Sequence, residues 1–337
     1  MMPDNKILIS FERLKSQLNS ILIEYGFTRQ KADLLSGIFA GSSLDGVYSH
    51  GVNRFARFIQ TVKMGIVQID EEPELLNSSG SVEQWNGNGG PGILNALRMM
   101  ERAVEIAGES GIGCVGLNNT NHWMRGGTYG WLAAEKGKIG ICFTNTKPNM
   151  VPWGGAEKRI GNNPLVIAIP REKGHIVLDM AMSQYSFGKI QEYAMRHQEL
   201  PFPGGFDDLG NLTHDPEIIL KNEKTIPIGF WKGSALSFVL DILATLVSGG
   251  DSASRIEGRE EEYGLSQVFI AIQPGFLPEN EKDRLIGEII SFTKNVPGFR
   301  EGDKIYYPGE KTLFIRELNR KEGIPVSEKV WTEILNL

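Results

Sequence analysis

Residues 93–145 carry the sequence ILNALRMMERAVEIAGESGIGCVGLNNTNHWMRGGTYGWLAAEKGKIGICFTN, in which helical and apolar patterns alternate. An amphipathic helical pattern closed by Gly111 is followed by the apolar run IGCVGLNN. A second helical pattern over residues 127–137 is followed by a second apolar run, IGICFTN. Apolar runs of this length between helical patterns are typical of buried strands. We therefore predict an α/β protein with a sheet and its packed helices at the centre of the molecule.

The patterns outside this stretch extend the prediction to both chain ends. VIAIP and HIVLDM predict a hairpin turned by REKG, QVFIAIQP predicts a late strand, and SALSFVLDILATLVSGG predicts the strongest helix. Strands are predicted between residues 80 and 275 only. We expect a helical domain of residues 1–75 plus about 295–337 and a central α/β domain of residues 76–294, in a mixed α+β arrangement. Packing of the late helices wholly on the sheet is the alternative. Helical spacing recurs over residues 10–64, 183–197, 279–294 and 326–337.

Composition excludes several classes of protein. With 41% hydrophobic and 23% charged residues among 337, the chain is neither disordered nor collagen-like. A net charge of −6 and scattered lysines and arginines do not suggest a nucleic-acid partner. No apolar run approaches the roughly 20 residues of a membrane span, and the N-terminus lacks a signal-peptide pattern. We expect a cytoplasmic protein with no membrane partner.

The spacing of histidines and cysteines predicts no metal site. The five histidines form no HxxxH or HxH pair, and the two cysteines, Cys114 and Cys142, lie far apart in apolar runs. The chain also contains no GxSxG nucleophile motif and no GxxxxGK[ST] phosphate loop. GNGGPG at residues 87–92 does not fit the GxGxxG fingerprint, so an ordinary Rossmann site is not predicted.

The densest polar cluster is DGVYSHGVNR at residues 45–54. If a helix begins near Ser49, His50 and Arg54 lie one turn apart on the same face, in a first turn that favours an anion. Arg54 can hold a carboxylate through two hydrogen bonds, and His50 can give a proton to an alkoxide. These groups suit a 2-keto acid, although a solvated helix face is the alternative. The core face of that helix is predicted to hold Val52, Phe55, Ile59 and Val62.

Three polar segments lie next to predicted strands. They are NNTNHW at residues 118–123, TNTKP at 144–148 and GNNP at 161–164. Because loops at strand ends often hold functional groups, we expect the three to converge on one polar pocket, and three ordinary turns are the alternative. Asp179 ends the strand HIVLDM, where it is expected either to orient a histidine or to cap the following helix.

The segment DGVYSHGVNRFARFI closely resembles part of the malate/L-lactate dehydrogenase-like family, which is distinct from the Rossmann-fold lactate and malate dehydrogenases. The resemblance continues through NHWMRGGTYGW, IGICFTNT, RIGNNPL, LDMAMSQYSFG, GGFDDLGNLT, PIGFWKGSALS, EYGLSQVFIAI and YPGEKT, and it covers essentially the whole chain. NHWMRGG and GFWKGS are nearest to the branch of the family that reduces 2,3-diketo-L-gulonate.

The resemblance implies reduction of a 2-keto acid carbonyl by NADH, with NADPH as the alternative, in a homodimer with a non-Rossmann cofactor site. It assigns the proton donor to His50. We further expect Ser49 and Asp179 to orient His50, and Arg54 and His122 to contact the substrate. GEK at residues 309–311 departs from the GHE of a relative, which puts side-chain contacts there in doubt. The cofactor residues implied by the resemblance are His175, Ile176, Val177, Leu178, Asp179, Met180, Ala181, Trp231, Lys232, Gly309, Glu310 and Lys311.

Two further functions stay open at this stage. The chain could reduce another substrate of the family, such as malate, lactate, ureidoglycolate, sulfolactate or a cyclic imine. A non-catalytic protein that binds a metabolite or NADH would keep the fold, and His50 and Arg54 argue against it.

Overall fold

The computed structural model describes residues 5–275, 277–300 and 302–337. The helices are α1 (Phe11–Glu24), α2 (Arg29–Leu44), α3 (Val52–Lys63), α4 (Gly92–Ser110), α5 (Gly127–Glu135), α6 (Phe187–Met195), α7 (Pro216–Asn222), α8 (Trp231–Ser248), α9 (Ala253–Ile256), α10 (Glu279–Lys294), α11 (Glu310–Glu322) and α12 (Glu328–Leu335), with a short 3₁₀ turn at Tyr48–His50. The strands are β1 (Lys6–Ile9), β2 (Glu74–Ser79), β3 (Val82–Asn86), β4 (Ile112–Thr120), β5 (Ile139–Thr144), β6 (Leu165–Ile169), β7 (Ile176–Met180), β8 (Gly205–Phe206), β9 (Leu212–Thr213), β10 (Leu265–Ile272) and β11 (Ile324–Ser327).

The central sheet has the strand order β2-β3-β4-β10-β5-β6-β7. Only the β3–β4 pair is parallel within it, and every other neighbouring pair is antiparallel. The predicted hairpin is present, with Leu165 of β6 opposite Met180 of β7. The predicted mixed α/β class is confirmed. A Rossmann sheet is mostly parallel, so this sheet offers no Rossmann crevice.

Strand direction brings several strand ends to one edge of this sheet. β4 and β5 both run antiparallel to β10, so they end at the same edge, at Thr120 and Thr144. β6 runs the other way and begins there at Leu165, and β7 ends there at Met180. The loops that follow or precede these residues therefore lie close together, which is the physical basis of the predicted convergence.

Helices cover both faces of the sheet. α4 and α5 pack on one face, where Met99 and Tyr129 join Phe269 of β10 in a buried cluster. α8 packs on the other face, where Leu240 joins Phe143 and Val268. Apolar contacts with one face of the sheet thus hold α4 and α5, and apolar contacts with the other face hold α8.

The two chain ends share a separate core. β1 pairs antiparallel with β11, and Leu18, Leu35, Phe55 and Trp331 are buried in one apolar cluster. The prediction that strands occur only between residues 80 and 275 is therefore wrong for β1, β2 and β11. These strands are short, and β1 and β11 pair across nearly the whole sequence, which no local pattern indicates. The proposed domain division stays a prediction, and its cut after residue 75 falls inside β2.

Helix α8 is the one described helix that is long and apolar enough to cross a membrane, although only 28% of it is buried in the chain. Its buried residues recur along one side, which packs on the sheet, whereas the opposite side is exposed. The buried side holds Gly233, Ser237, Leu240, Ala244 and Ser248. The exposed side holds Trp231, Leu236, Phe238, Val239, Ile242, Leu243 and Leu246.

Candidate active site

A cleft of about 580 Å³ opens at the sheet edge where β4, β5 and β7 end. The loop before α3 and the segment leading into α11 close it from the side. Residues from each predicted strand-end segment face this space, so the expected convergence is observed. The lining includes Ser49, His50, His122, Arg125, Trp131, Thr144, Thr146, Asn162, Val177, Leu178, Asp179, Ala181, Tyr306, Tyr307, Gly309 and Thr312.

His50 lies on the 3₁₀ turn Tyr48–His50 and not in the first turn of α3, which begins at Val52. Gly51 separates the two with backbone angles of −112° and −125°, outside the helical region. The prediction of one helical face for His50 and Arg54 is therefore wrong, and so is the helix-terminus argument for His50. The predicted core face is present, because Val52, Phe55 and Ile59 are buried and Val62 packs against them.

Two groups predicted to orient His50 are beside it. The Ser49 hydroxyl lies 3.1 Å from His50 Nδ1. Burial lowers the pKa of His50 below 6.5, the nearby charge of Asp179 opposes that effect, and Arg54 and Arg125 lower it further. Burial thus favours the neutral imidazole of His50, whereas the Asp179 carboxylate favours the imidazolium.

His122 stacks beside His50, with ring centroids 6.0 Å apart. Its Nδ1 accepts the backbone N–H of Met124 at 2.9 Å, so the neutral ring carries its proton on Nε2. Burial holds the pKa of His122 well below 6.5, and the charges of Arg54 and His50 act in the same direction. His122 is therefore a hydrogen-bond donor to the cleft rather than a source of protons.

Arg54 lies near these rings but is not among the residues that line the cleft in the described chain. Its side chain is exposed on the first turn of α3, and its charge reaches both His50 and His122. Glu262 faces it, and burial raises the pKa of that carboxyl. Glu262 also accepts the backbone N–H of Lys147 at 2.9 Å, which fixes it beside His122.

Asp179 caps a helix, but not the one expected. Its Oδ2 accepts the backbone N–H of Gly127 at 2.9 Å, at the start of α5, whereas Ser186 caps the following helix α6. The predicted cap of the following helix is therefore wrong. The other expectation, that Asp179 serves a histidine, agrees with its charge beside His50.

The segment around β7 meets the segment before α11 at the cleft. The backbone N–H of Val177 donates to the carbonyl of Pro308 at 3.0 Å, and Gly309 follows directly. His175 lies behind this wall, with its ring 5.7 Å from that of Trp131. Burial lowers the pKa of His175. Of the predicted cofactor residues, Val177, Leu178, Asp179, Ala181 and Gly309 line the cleft.

The remaining predicted cofactor residues do not line the cleft of the described chain; they are His175, Ile176, Met180, Trp231, Lys232, Glu310 and Lys311. Trp231 begins α8 with its side chain 61% exposed, and the Lys232 ammonium lies 6.0 Å from its ring centroid. The Glu310 carboxylate accepts hydrogen bonds from Lys294 and from the backbone N–H of Tyr307. The Lys311 ammonium lies over the ring of Tyr306.

Two asparagines of the polar segments are structural. The side-chain amide of Asn121 donates to the carbonyls of Ile66, Gly89 and Gly90, and Asn163 joins the backbone of Thr146 to α8. The alternative of ordinary loop residues is therefore right for these two, while their neighbours face the cleft.

Sequence reasoning missed several cleft residues. Arg125 belongs to the motif NHWMRGG, and it is buried. The uncharged neighbours of this arginine in the sequence, Met124 and two glycines, are the local feature that could have indicated its burial. Trp131 resembles any core aromatic of a helix. Tyr306, Tyr307 and Thr312 come from a segment whose position depends on packing between distant parts of the chain.

Known proteins share this architecture. Malate dehydrogenase from Entamoeba histolytica has a TM-score of 0.93 at 26% identity, covering 98% of this chain and 97% of that one. Sulfolactate dehydrogenase from Methanocaldococcus jannaschii has a TM-score of 0.90 at 29% identity, covering 97% and 95%.

The sequence comparisons agree with the structural ones. The 2,3-diketo-L-gulonate reductase of Citrobacter koseri is 45% identical over 328 residues, which cover 97% of this chain and 98% of that protein. Residues 9–335 match the profile of the family described as Malate/L-lactate dehydrogenase. The predicted family is confirmed: the chain belongs to the malate/L-lactate dehydrogenase family of oxidoreductases.

Proposed function

We propose that the chain reduces a sugar-derived 2-keto acid, 2,3-diketo-L-gulonate, to the 2-hydroxy acid at the expense of NADH. The observation that supports this most is the placement of His50 on the wall of a cleft large enough for a small acid, in contact with the Ser49 hydroxyl and under the influence of the Asp179 charge. The similarity to 2,3-diketo-L-gulonate reductase supports the choice of substrate.

The cleft has features that fit a nicotinamide cofactor. Gly309 has a φ of +92°, and a Cβ there would lie 3.1 Å from Val177 N, so glycine lets this backbone pack closely against β7 in the cleft wall. Trp131 lines the cleft, and its buried Nε1 finds no hydrogen-bond partner in the described chain. Val177, Leu178, Asp179, Ala181, Gly309 and Trp131, which line the cleft, would hold the cofactor. A reduced nicotinamide supplies a hydride when bound.

The proton comes from this chain. His50, as imidazolium, gives its proton to the oxygen of the reduced carbonyl, and Asp179 stabilises the charged ring before transfer. The Ser49 hydroxyl holds Nδ1 and so fixes the ring orientation. His122 donates from Nε2 to a substrate oxygen. Arg54 binds the substrate carboxylate, which its proximity to both histidines supports.

We also propose a cytoplasmic homodimer. The exposed side of α8 is a contiguous row of apolar residues on a helix whose other side already packs on the sheet. A patch of this kind marks an interface. Asp241 lies in the middle of α8 and accepts hydrogen bonds from Asn145 and from the backbone N–H of Ala253. Because a carboxylate in the middle of the helix does not suit a lipid surface, we propose that a second copy of the chain covers the exposed side of α8.

A substrate panel read by NADH absorbance tests the function. The panel contains 2,3-diketo-L-gulonate, pyruvate, oxaloacetate, sulfopyruvate and a cyclic imine, each with NADH and with NADPH. We expect the highest kcat/KM with 2,3-diketo-L-gulonate and NADH. A higher kcat/KM with another keto acid would show that this other acid is the preferred substrate. NADH binding without NADH oxidation across the whole panel would favour a non-catalytic binding protein.

A further inference from the structure

A buried ion cluster lies behind the cleft. Asp45 accepts two hydrogen bonds from Arg316, at 2.6 Å from Nε and 2.8 Å from Nη2, and a third from Nη1 of Arg125. The side chains of Asp45 and Arg125 are only 6% and 5% exposed. Buried charges of this kind must be paired, so the three side chains hold one another in place.

Arg125 stands between two carboxylates. Its Nη1 bonds Asp45, while its Nε has no hydrogen-bond partner in the described chain and lies 3.9 Å from Asp179 Oδ2. Asp179 is therefore beside the guanidinium without accepting from it, and its Oδ2 instead takes the N–H of Gly127. Asp45 and Asp179 therefore share one guanidinium: Asp45 accepts its hydrogen bond, and Asp179 forms an ion pair with it at 3.9 Å without a hydrogen bond.

Asp45 also ties the turn that bears His50 to α11. The guanidinium of Arg316 in α11 lies over the ring of Trp131, with its Cζ 4.7 Å from the ring centroid, and hydrogen-bonds to Asp45 from there. One helical turn on, Asn319 donates to the carbonyl of Leu44 at 2.9 Å. α11 begins at the cleft, next to Gly309, so a single helix spans from the cofactor wall to the segment that leads into His50.

We propose that Asp45 is a positioning residue: by accepting the hydrogen bond of Arg125, it prevents a hydrogen bond from Arg125 to Asp179 and so leaves the Asp179 carboxylate available to His50. The role attributed to His50 rests on the proposed function, whereas the effect of Asp45 on the His50 ring does not. Asp45 itself is buried and is not among the described residues that line the cleft.

Removal of the Asp45 charge has a defined consequence. In Asp45→Asn, Arg125 loses the anion to which it is hydrogen-bonded, and its guanidinium is expected to close the remaining 3.9 Å to Asp179 and hydrogen-bond there instead. The charged groups that face His50 are Asp179 from β7, Arg54 from α3 and Arg125 from the loop before α5, with His122 stacked alongside. Pairing of Asp179 with Arg125 removes the one anion of this set from His50, so the imidazolium loses its support.

The test is a charge-rescue cycle. We expect Asp45→Asn to lower kcat about tenfold, because the proton donor is weakened. The pKa of His50, followed by imidazole NMR without substrate and assigned with His50→Gln, should fall by about 0.5 to 1. In the double variant Asp45→Asn/Arg125→Gln, the rival cation is gone, so kcat should recover at least about threefold and the pKa should rise again.

Two further variants keep the proposal open to refutation. Arg125→Gln alone leaves Asp45 bonded to Arg316 and should raise the pKa of His50, which is measurable even if Asp45→Asn does not fold. Glu83→Gln is the matched control, because Glu83 is a buried carboxylate paired with Arg102 away from the cleft. It should lower thermal stability and leave the pKa of His50 unchanged.

A double variant no better than Asp45→Asn, or a fall in the pKa of His50 in Arg125→Gln, would overturn the positioning role. The NMR titration needs no turnover. If the His50 pKa falls in Asp45→Asn and rises in the double variant while the protein oxidises no NADH, the proposed function is rejected and this inference is retained.

Discussion

The His50 ring lies 3.1 Å from the Ser49 hydroxyl, and burial lowers its pKa below the ordinary 6.5 while the charge of Asp179 opposes that effect. We expect His50→Ala to lower kcat about 100-fold or more, as for loss of a general acid. Because the donor must be protonated, kcat/KM for reduction should fall as pH rises through that lowered pKa, below pH 6.5. Steady-state rates from pH 5 to 8 measure both effects. His197→Ala is the control, since that ring is 86% exposed; near-normal turnover of His50→Ala removes His50 from the mechanism.

Arg54 is the cation nearest to both cleft histidines on α3. If it binds the substrate carboxylate in ground and transition states alike, Arg54→Ala should raise KM about tenfold or more with little change in kcat. Arg57→Ala removes a guanidinium three residues further along the helix, where it pairs with Glu261, and should leave KM near the wild-type value. Equal KM values for the two variants would point to another anchor for the carboxylate.

At this scale, the residue types that perform chemistry were visible in the sequence, and their partners were not. Ser49, His50 and His122 lie where short polar motifs placed them. Arg125 was passed over, because burial of a charged side chain depends on Asp45 and Arg316, which local sequence cannot bring together.

Among the secondary-structure elements, the start of α11 matters most for the proposed cofactor site. Gly309 adopts φ +92° and packs within 3.1 Å of the β7 backbone if given a Cβ. Gly309→Ala should lose about 1–2 kcal/mol of stability from the left-handed backbone and should also weaken NADH binding severalfold, because the added methyl displaces the β7 wall.

Gly137 provides the matched control for that variant. It has φ +71° and open space around its Cβ position. Gly137→Ala should show a comparable backbone cost with unchanged NADH affinity. Thermal melts and fluorescence titration with NADH compare the two variants. Equal NADH affinities would mean that Gly309 is needed only for its left-handed backbone conformation and not for the cofactor site.

Element prediction succeeded where the pattern was long and local. Local patterns predict the helix of residues 279–294 and the strands of the central sheet other than β2. α11 is not predicted from the sequence, because its apolar residues do not share one buried face: Leu313 packs against the central cluster, whereas Phe314 and Leu318 are exposed. The 3₁₀ turn at His50 was missed because Gly51 breaks a spacing that otherwise suits one helix.

For the whole molecule, the exposed side of α8 predicts self-association. Phe238→Glu and Leu246→Glu place charges on this face and should convert a dimer to a monomer in sedimentation experiments. Leu209→Glu is the control, because Leu209 is 87% exposed in a polar surface segment. A monomeric wild-type protein, or a dimer that persists in both α8 variants, would contradict this interface.

Acid stability follows from the buried histidines. His122 has a folded-state pKa well below the 6.5 of the unfolded chain, so the unfolded state binds the proton first as pH falls. Stability should therefore decrease below pH 6.5. Glu262, with a raised pKa, acts in the opposite direction above pH 4.5, so variants must be compared with wild type.

The measurement for this effect is the Tm at pH 7 and pH 5. His122→Asn keeps an acceptor for the Met124 N–H and removes the titrating ring, so its Tm should fall less between the two pH values than that of wild type. His197→Asn should behave as wild type. An unchanged pH dependence in His122→Asn would show that this ring is not a source of the acid sensitivity.

The sequence by itself determined the α/β class, the family and the residues able to perform acid catalysis, because periodicity and contiguous motifs are local properties. Only the tertiary structure decided which of those residues meet. Antiparallel pairing to β10 gathers the ends of β4 and β5 at one edge, and α11 carries Arg316 to Asp45 from the other end of the chain. Contacts between distant segments depend on how shape and charge match in three dimensions. Local sequence patterns therefore do not reveal which distant residues come into contact.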